Sequence, residues 1–572
     1  MRERLAVIEA VKARPECDVL VVGGGINGVG ILRDLAAQGV SAVLAERGDI
    51  GGGSSAAPSR LIHGGLRYLE TGEFALVRES VHERERLLRN APHLVRPLPT
   101  WVPLQSWTAG GVSAVGRLLR LKRDPGRKGA VPVKLGLVFY DLFSRGTRVM
   151  PRHRFLGGRA ARRVLPDLSP RVRAVAEYYD ARVTHPERLC LEVAADAERA
   201  APDAIHALPY CAAVRVDGAS VVLRDVLGGE EFTVRPRVVV NAAGPWIDAV
   251  DRGFGRPDTL AGGNKGSHLV LRAPKLAGEL GGRMLYFETR EHRVCLVYAL
   301  DADHVLLGTT DLPTENPDDR SCSPEEERYL FGVLRDAMPG AAVGPDDVVF
   351  SYAGVRPLPR STGSVAGAVS RDHKLHRFGP EPGREMPLFT LVGGKWTTYR
   401  SCAAQVVDAV LPELGRVRVA GTERLPIGGG RDWPAGGVEA VADRLRMAGV
   451  PPNWAPVLAT RYGTAAEAVW NGAAGFAGRS QALDTAPSYS AGEIAFLATR
   501  ERVSRLEDVV LRRTLMGFEG LARPEVVREV GAVVGAALGW NRDRVDAEVR
   551  DTLAVLRGRH GLKDEAPGAI AA

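Results

Sequence analysis

The stretch "DVLVVGGGINGVG", Asp18–Gly30, decides the fold. A short apolar run ends on a cluster of glycines, and Val29, Leu32, Leu35 and Ala36 then recur at helical spacing. That pattern predicts a buried strand, a tight turn and a helix over 26–38. Gly23, Gly25 and Gly28 stand in G-x-G-x-x-G register between the two elements. The first glycine makes the turn, and the second lets the backbone approach a pyrophosphate. The third lets the helix pack closely on the strand, with its positive N-terminal end toward the phosphates. Asn27 lies in the same turn and joins the candidate cofactor contacts. "SAVLAE", Ser41–Glu46, reads as a second buried strand, and Glu46 stands where a carboxylate accepts from ribose hydroxyls. A strand–helix–strand start implies a parallel sheet.

Upstream, Leu5, Ile8 and Val11 mark a short amphipathic helix, and the charged N-terminus lacks the apolar core of a signal peptide. Downstream, "VVLRDV", "EFTVRPRVVV", "SHLVL", "RVCLVYAL" and "HVLLGTT" predict a mostly antiparallel sheet. After Gly394, the residues Ala403, Val406, Val407, Val410 and Leu411 form one helical face. "PIGGGRDWPAGG", Pro426–Gly437, reads as a linker, and the chain beyond it as helical, with Val545, Val549, Leu553 and Leu556 on one stripe. The expected architecture is α/β: a Rossmann-like dinucleotide domain (17–105, 180–250 and 350–415) interleaved with a mostly antiparallel substrate-binding sheet domain (106–179 and 251–349). An all-helical domain over 438–560 and a frayed tail over 561–572 complete it.

FAD is favoured over NAD. After Glu46 the chain enters a serine-rich turn, "GGGSSAAPSR", instead of completing a continuous Rossmann half. Two further glycine loops follow far downstream, "VVVNAAGPW" with Ala243 and Gly244, and "LVGGKWTTYR" with Gly394. Distant segments returning to one nucleotide suit a long cofactor gripped along its length. The net charge of +8 suits a phosphorylated small molecule, a nucleic acid or an anionic membrane, but arginine is abundant throughout and no nucleic-acid reader motif is present. The six cysteines are scattered without a CxxC pair, which argues against zinc or a disulfide framework and for a reducing compartment. No apolar run approaches the ~18 residues of a membrane span.

At "VGGGINGVG", "SRLIHGGLRYLE", "APHLVRPLP", "NAAGPW", "KGSHLVL", "LLGTTD", "YAGVRPL", "SRDHKL", "GGKWTTYR" and "LRRTLMGF" the sequence resembles the FAD-dependent glycerol-3-phosphate dehydrogenases. These motifs run in order through nearly the whole chain. The resemblance implies oxidation of sn-glycerol 3-phosphate to dihydroxyacetone phosphate by hydride transfer from C2 to flavin N5, with electrons passed to a quinone or to oxygen. It implies that Arg67, Tyr68, Arg356, Arg371 and Lys395 line the substrate pocket. Their chemistry agrees, because a phosphate dianion calls for several cations and arginine offers a planar fork. Lys395, at the start of the helix after Gly394, also suits the flavin edge where charge collects. The proton acceptor is His63 or His268. Ser54, Ser55 and Ser59 are expected to bond the FAD phosphates, and Ser59, Gly64 and Gly65 to shape the FAD-facing backbone, while Thr397 and Thr398 either cap a helix or bond the flavin. No metal site is expected.

Some positions depart from the family pattern: Leu32, Gln38-Gly39, and Ala56-Ala57-Pro58, which removes hydroxyls from the serine-rich turn. The insertion "VGRLLRLKRDPGRKG", within 113–128, alternates leucines with basic residues and is either a contact to an anionic membrane or a solvated loop. The family habit places such a protein in the cytoplasm, peripheral on the inner face of the membrane, and a homodimer stays open. An oxidase using oxygen would share every motif. An amine oxidase would lack the cationic cluster, and a non-catalytic flavin-binding regulator would show broken site motifs.

Overall fold

The computed structural model describes residues 3–65, 73–106, 137, 150–289, 293–360 and 373–563. The expected βαβ unit is present: strand Glu16–Val22, helix Ile26–Ala37 and strand Ala42–Ala45. The strand Glu16–Val22 is central in an eight-stranded sheet. Ala42–Ala45 and Ile205–Leu208 extend the sheet in parallel on one side, and Glu231–Asn241 and Leu388–Val392 on the other. Parallel strands covered on both faces must be apolar throughout, and Val19, Leu20 and Val21 are fully buried. The helix Ile26–Ala37 is buried on almost every side rather than on one face. The helices Pro186–Ala200 and Tyr399–Val410 pack against it.

Among the described residues, the second sheet has ten strands and is antiparallel except where Met284–Glu288 runs parallel to Val95–Leu104. It draws in more of the chain than the sequence reading allotted to it. Val95–Leu104 and Val348–Pro359, both assigned to the dinucleotide domain, are among its strands. Each pairs along its whole length with a distant strand, Ala174–Val183 and Ala261–Arg272 respectively, and such pairing leaves no local signal. In contrast, "EFTVRPRVVV" belongs to the first sheet: its first half pairs antiparallel with Ser220–Asp225, and its second half parallel with Glu16–Val22.

The C-terminal helices, from Gly437–Met447 to Arg542–His560, share one core with the second sheet. Leu98, Val270 and Phe350 from the sheet meet Val526, Val530 and Leu556 there. The 426–437 segment is docked rather than loose: Gly428 N–H donates to Asp196 (3.1 Å) and Gly429 N–H to Glu192 (3.3 Å). The first helix, Arg4–Ala13, buries Val7, Ile8 and Val11 but leaves Leu5 59% exposed. Arg4 claims the inward face instead, donating to the Pro209 and Tyr210 carbonyls and pairing with Asp225. The 113–128 insertion lies outside the described residues, as do 564–572 of the tail. No helix among the described residues is long and apolar enough to cross a membrane.

Candidate active site

The glycine turn is built for close approach. Gly23 has φ +107°, and a Cβ there would lie 2.7 Å from the Ala242 carbonyl oxygen. A Cβ on Gly28 would lie 1.9 Å from the Gly23 oxygen, so the helix meets the end of the strand only because residue 28 is glycine. Ile26 N–H, at the start of the helix, donates to Ser55 Oγ (2.9 Å). Glu46 accepts from Gly24 N–H (2.6 Å) and Gly48 N–H (2.8 Å). Burial raises its pKa against those bonds. Each carboxylate oxygen accepts one of these bonds and keeps a second lone pair to offer a hydroxyl.

A continuous cavity of about 790 Å³ runs from this turn to the second sheet. Of the predicted residues, Gly23, Gly25, Asn27, Glu46, Ser54, Ser55, Ser59, His63, Gly65, Ala243, Gly244, Arg356, Gly394 and Lys395 line it. Arg67, Tyr68 and Arg371 fall outside the described residues. Asn27 Nδ2 donates to the Gly393 carbonyl (3.4 Å), tying the helix Ile26–Ala37 to the "GGKW" loop. Gly394 has φ +111°, and a Cβ there would meet Asn27 Nδ2 at 2.3 Å. Lys395 sits in that loop, ahead of the helix Tyr399–Val410 rather than at its first turn.

Arg356 projects from the strand Val348–Pro359. Its guanidinium donates to Asp311 Oδ1 (3.3 Å) and Thr309 Oγ1 (3.2 Å), and the side chain is 30% exposed. It crosses Gly266 so closely that a Cβ there would lie 2.3 Å from Nη2. The glycine of "KGSHLVL" therefore makes room for the arginine of "YAGVRPL".

Several predicted residues brace the walls, some of them while also lining the space. His268 is fully buried, stacked on Tyr352 with ring centroids 4.7 Å apart, and its Nε2 bonds Ser59 Oγ (2.8 Å). Burial, then the charges of Arg356 and Arg60, push its pKa well below the ordinary histidine value. It is a poor base there and a sound strut. Ser59 is held further by Tyr298, whose hydroxyl donates to the Ser59 carbonyl (3.2 Å). Ser54 Oγ donates to the Val355 carbonyl (2.6 Å). Thr397 Oγ1 accepts from His63 N–H (3.1 Å), and Gly64 N–H donates to Asp180 (2.8 Å), so both hold the "HGG" turn. Thr398 precedes the helix without a side-chain capping bond. Gly28 acts one layer behind the cavity, through packing.

Sequence reading missed several contributors. Asp180, 2% exposed, gathers Gly64 N–H, Arg84 (3.1 Å) and the Tyr178 hydroxyl (3.1 Å) behind the "HGG" turn. It lies inside a regular strand, where nothing in the pattern marks it. Arg60 is buried with φ +56°, and its guanidinium lies 3.4 Å from the centroid of Phe518 in the helical domain. Asp49, fully buried beside the glycine turn, accepts from Arg512 Nε (2.7 Å) and from Arg513 Nη1 and Nη2 (2.5 and 2.9 Å). Burial alone would raise the Asp49 pKa, but the charges of Arg513 and Arg512 win and hold it below the ordinary aspartate value. The "LRRTLMGF" motif is thus a clamp on the cofactor loop.

Residues 18–399 match the family described as FAD dependent oxidoreductase, and residues 420–545 match the C-terminal domain of alpha-glycerophosphate oxidase. A glycerol-3-phosphate dehydrogenase of Synechocystis sp. is 35% identical over 419 residues, 70% of each chain. The chain belongs to the FAD-dependent glycerol-3-phosphate dehydrogenase family. Another relative in similarity, the D-erythritol 1-phosphate dehydrogenase of Brucella abortus, is 31% identical over 88% of this chain and 95% of its own. The crystal structure of the glycerol-3-phosphate dehydrogenase from Bacillus halodurans complexed with FAD has a TM-score of 0.72, covering 97% of both chains at 22% identity, and so supports the fold. FAD, the cofactor of this family, fits the residues present. Gly23, Gly25 and Glu46 line one part of the cavity, and the Ala243-Gly244 and Gly394 loops join them, so backbone from three distant segments is open to a long dinucleotide.

Proposed function

We propose that this protein oxidises sn-glycerol 3-phosphate to dihydroxyacetone phosphate, with C2 hydride going to flavin N5 and the electrons passing on to a quinone. Bound FAD supplies the two-electron acceptor. Arg356 and Lys395 bind the phosphate and orient C2, and Arg67, Tyr68 and Arg371 complete the grip. His63 takes the C2 hydroxyl proton, and His268 holds Ser59 in place. The observation that carries this reading is Arg356 entering, over Gly266, the same cavity that the dinucleotide turn lines. The relatives' names support the substrate class.

Anaerobic mixing of the FAD-loaded protein with glycerol 3-phosphate is expected to bleach the flavin absorbance. Persistent colour would refute the assignment. Peroxide formed in air, with and without quinone, separates the quinone-linked enzyme from an oxidase. The Brucella relative is named for a longer polyol phosphate, so rates on D-erythritol 1-phosphate should be measured beside those on glycerol 3-phosphate. Attachment to the inner membrane face, through the 113–128 insertion, predicts co-sedimentation with anionic vesicles that high salt reverses.

The two histidines divide cleanly under test. His63→Asn is expected to lower kcat about 10²–10⁴-fold and to remove the acid limb of its pH profile, with KM little changed. His268→Asn should mainly lower thermal stability, because it loosens Ser59. A larger kcat loss in the His268 variant would reverse the roles.

A further inference from the structure

A short segment of the second sheet's connections reaches back across the cofactor slot. Asp318 Oδ1 accepts from Arg47 Nη2 (3.0 Å) and from Trp246 Nε1 (3.2 Å). The Arg47 guanidinium lies 4.4 Å from the centroid of the Trp246 ring, and Arg320 lies 5.9 Å from it on the same side chain. Arg320 Nη1 donates to the Gly52 carbonyl (3.1 Å). The base of the segment is fixed, since Lys265 Nζ bonds both Asp319 and Glu326 at 2.9 Å. Asn316 Oδ1 accepts from Asp318 N–H (3.0 Å), which orders the turn.

The partners come from separate places. Arg47 follows Glu46 at the ribose end of the slot, Trp246 belongs to the "NAAGPW" loop, and Gly52 opens the serine-rich turn. Arg47, Trp246, Gly52 and Arg320 all line the cavity, together with Ala212 and Ala213. Asp318 joins Arg47 and Trp246 on the outside, with 56% of its side chain exposed. We propose that residues 315–320 form a clasp over the adenosine end of bound FAD, and that Arg47, Trp246, Asp318 and Arg320 set how long the cofactor stays. An exposed ion pair by itself contributes little. Here one carboxylate joins the loops that follow Ala42–Ala45 and Glu231–Asn241, the two strands flanking Glu16–Val22, so losing it frees both at once.

The test is the rate of FAD release after dilution of the holoprotein, followed by the rise in flavin fluorescence. Asp318→Ala is expected to release FAD about tenfold faster, corresponding to ~1.4 kcal/mol. Asp318→Asn, which keeps an acceptor for Trp246 but loses the ion pair, should fall between. High salt should speed release from the wild type and have little further effect on Asp318→Ala, because the ion pair is screened. The apoprotein should melt at the same temperature with and without the substitution. A release rate within about twofold of wild type overturns the clasp. So does an apoprotein as destabilised as the holoprotein, which would make Asp318 a general structural residue. Wild-type protein that held no FAD would refute the cofactor assignment itself, a result separable from both.

Discussion

Arg356→Ala is expected to lower kcat/KM for glycerol 3-phosphate about 30- to 300-fold, with FAD still bound. Truncating one partner of a hydrogen-bonded charge pair costs about 2–5 kcal/mol, and partial exposure places this guanidinium in the lower part of that range. A second effect adds to the first. Asp311, now answered by Arg356, would be left facing the cavity with its charge uncompensated and would repel a phosphate dianion. Arg356→Lys keeps the charge but loses the fork, and about a tenfold loss is expected. The check is steady-state kinetics beside the flavin spectrum of each purified variant. Unchanged kcat/KM in the alanine variant would remove Arg356 from the phosphate site.

The largest stability effect is expected at Asp49. Asp49→Asn leaves Arg512 and Arg513 facing a neutral amide in a fully buried site, and breaking such a pair costs about 3–5 kcal/mol. Denaturant melts followed by tryptophan fluorescence would read the loss, and protease cleavage within 426–437 would read separation of the helical domain. Melting indistinguishable from wild type would show that the pair contributes nothing. The pH sign follows from the lowered carboxyl pKa. The stabilisation is complete above the unfolded aspartate value of about 3.9 and is lost as pH falls through the lower folded value. The wild type should therefore lose stability in acid, and the asparagine variant should lack that part of the loss.

What the sequence revealed was local. Gly23 and Gly28 signal their turn because the first is required by its own φ and the second by its contact with the Gly23 oxygen, and Glu46 follows at the end of the next strand. The face of Ala403, Val406, Val407 and Val410 likewise needed only helical periodicity. What stayed hidden depends on distant pairing. Val95–Leu104 looks like part of the first domain until Ala174–Val183 lies beside it. His268 reads as a base until strand register sets it against Tyr352 and Gly308. Ser54 and Ser59 read as phosphate ligands until their hydroxyls are engaged by Val355 and His268. Asp180 carries no motif at all, since its role is defined wholly by what gathers around it.

The clamp on Asp49 also bears on the order of biosynthesis. The ribosome releases the glycine turn long before its partners, and the central strand beside it waits for Glu231–Asn241 and Leu388–Val392 to complete its sheet. Asp49 then waits longer still, for arginines 463 and 464 positions downstream. N-terminal regions emerge first during translation, and closing so long a loop comes late. The cofactor turn is translated long before it can be locked, so a nascent chain halted before "LRRTLMGF" carries the nucleotide motif without the means to hold it in shape.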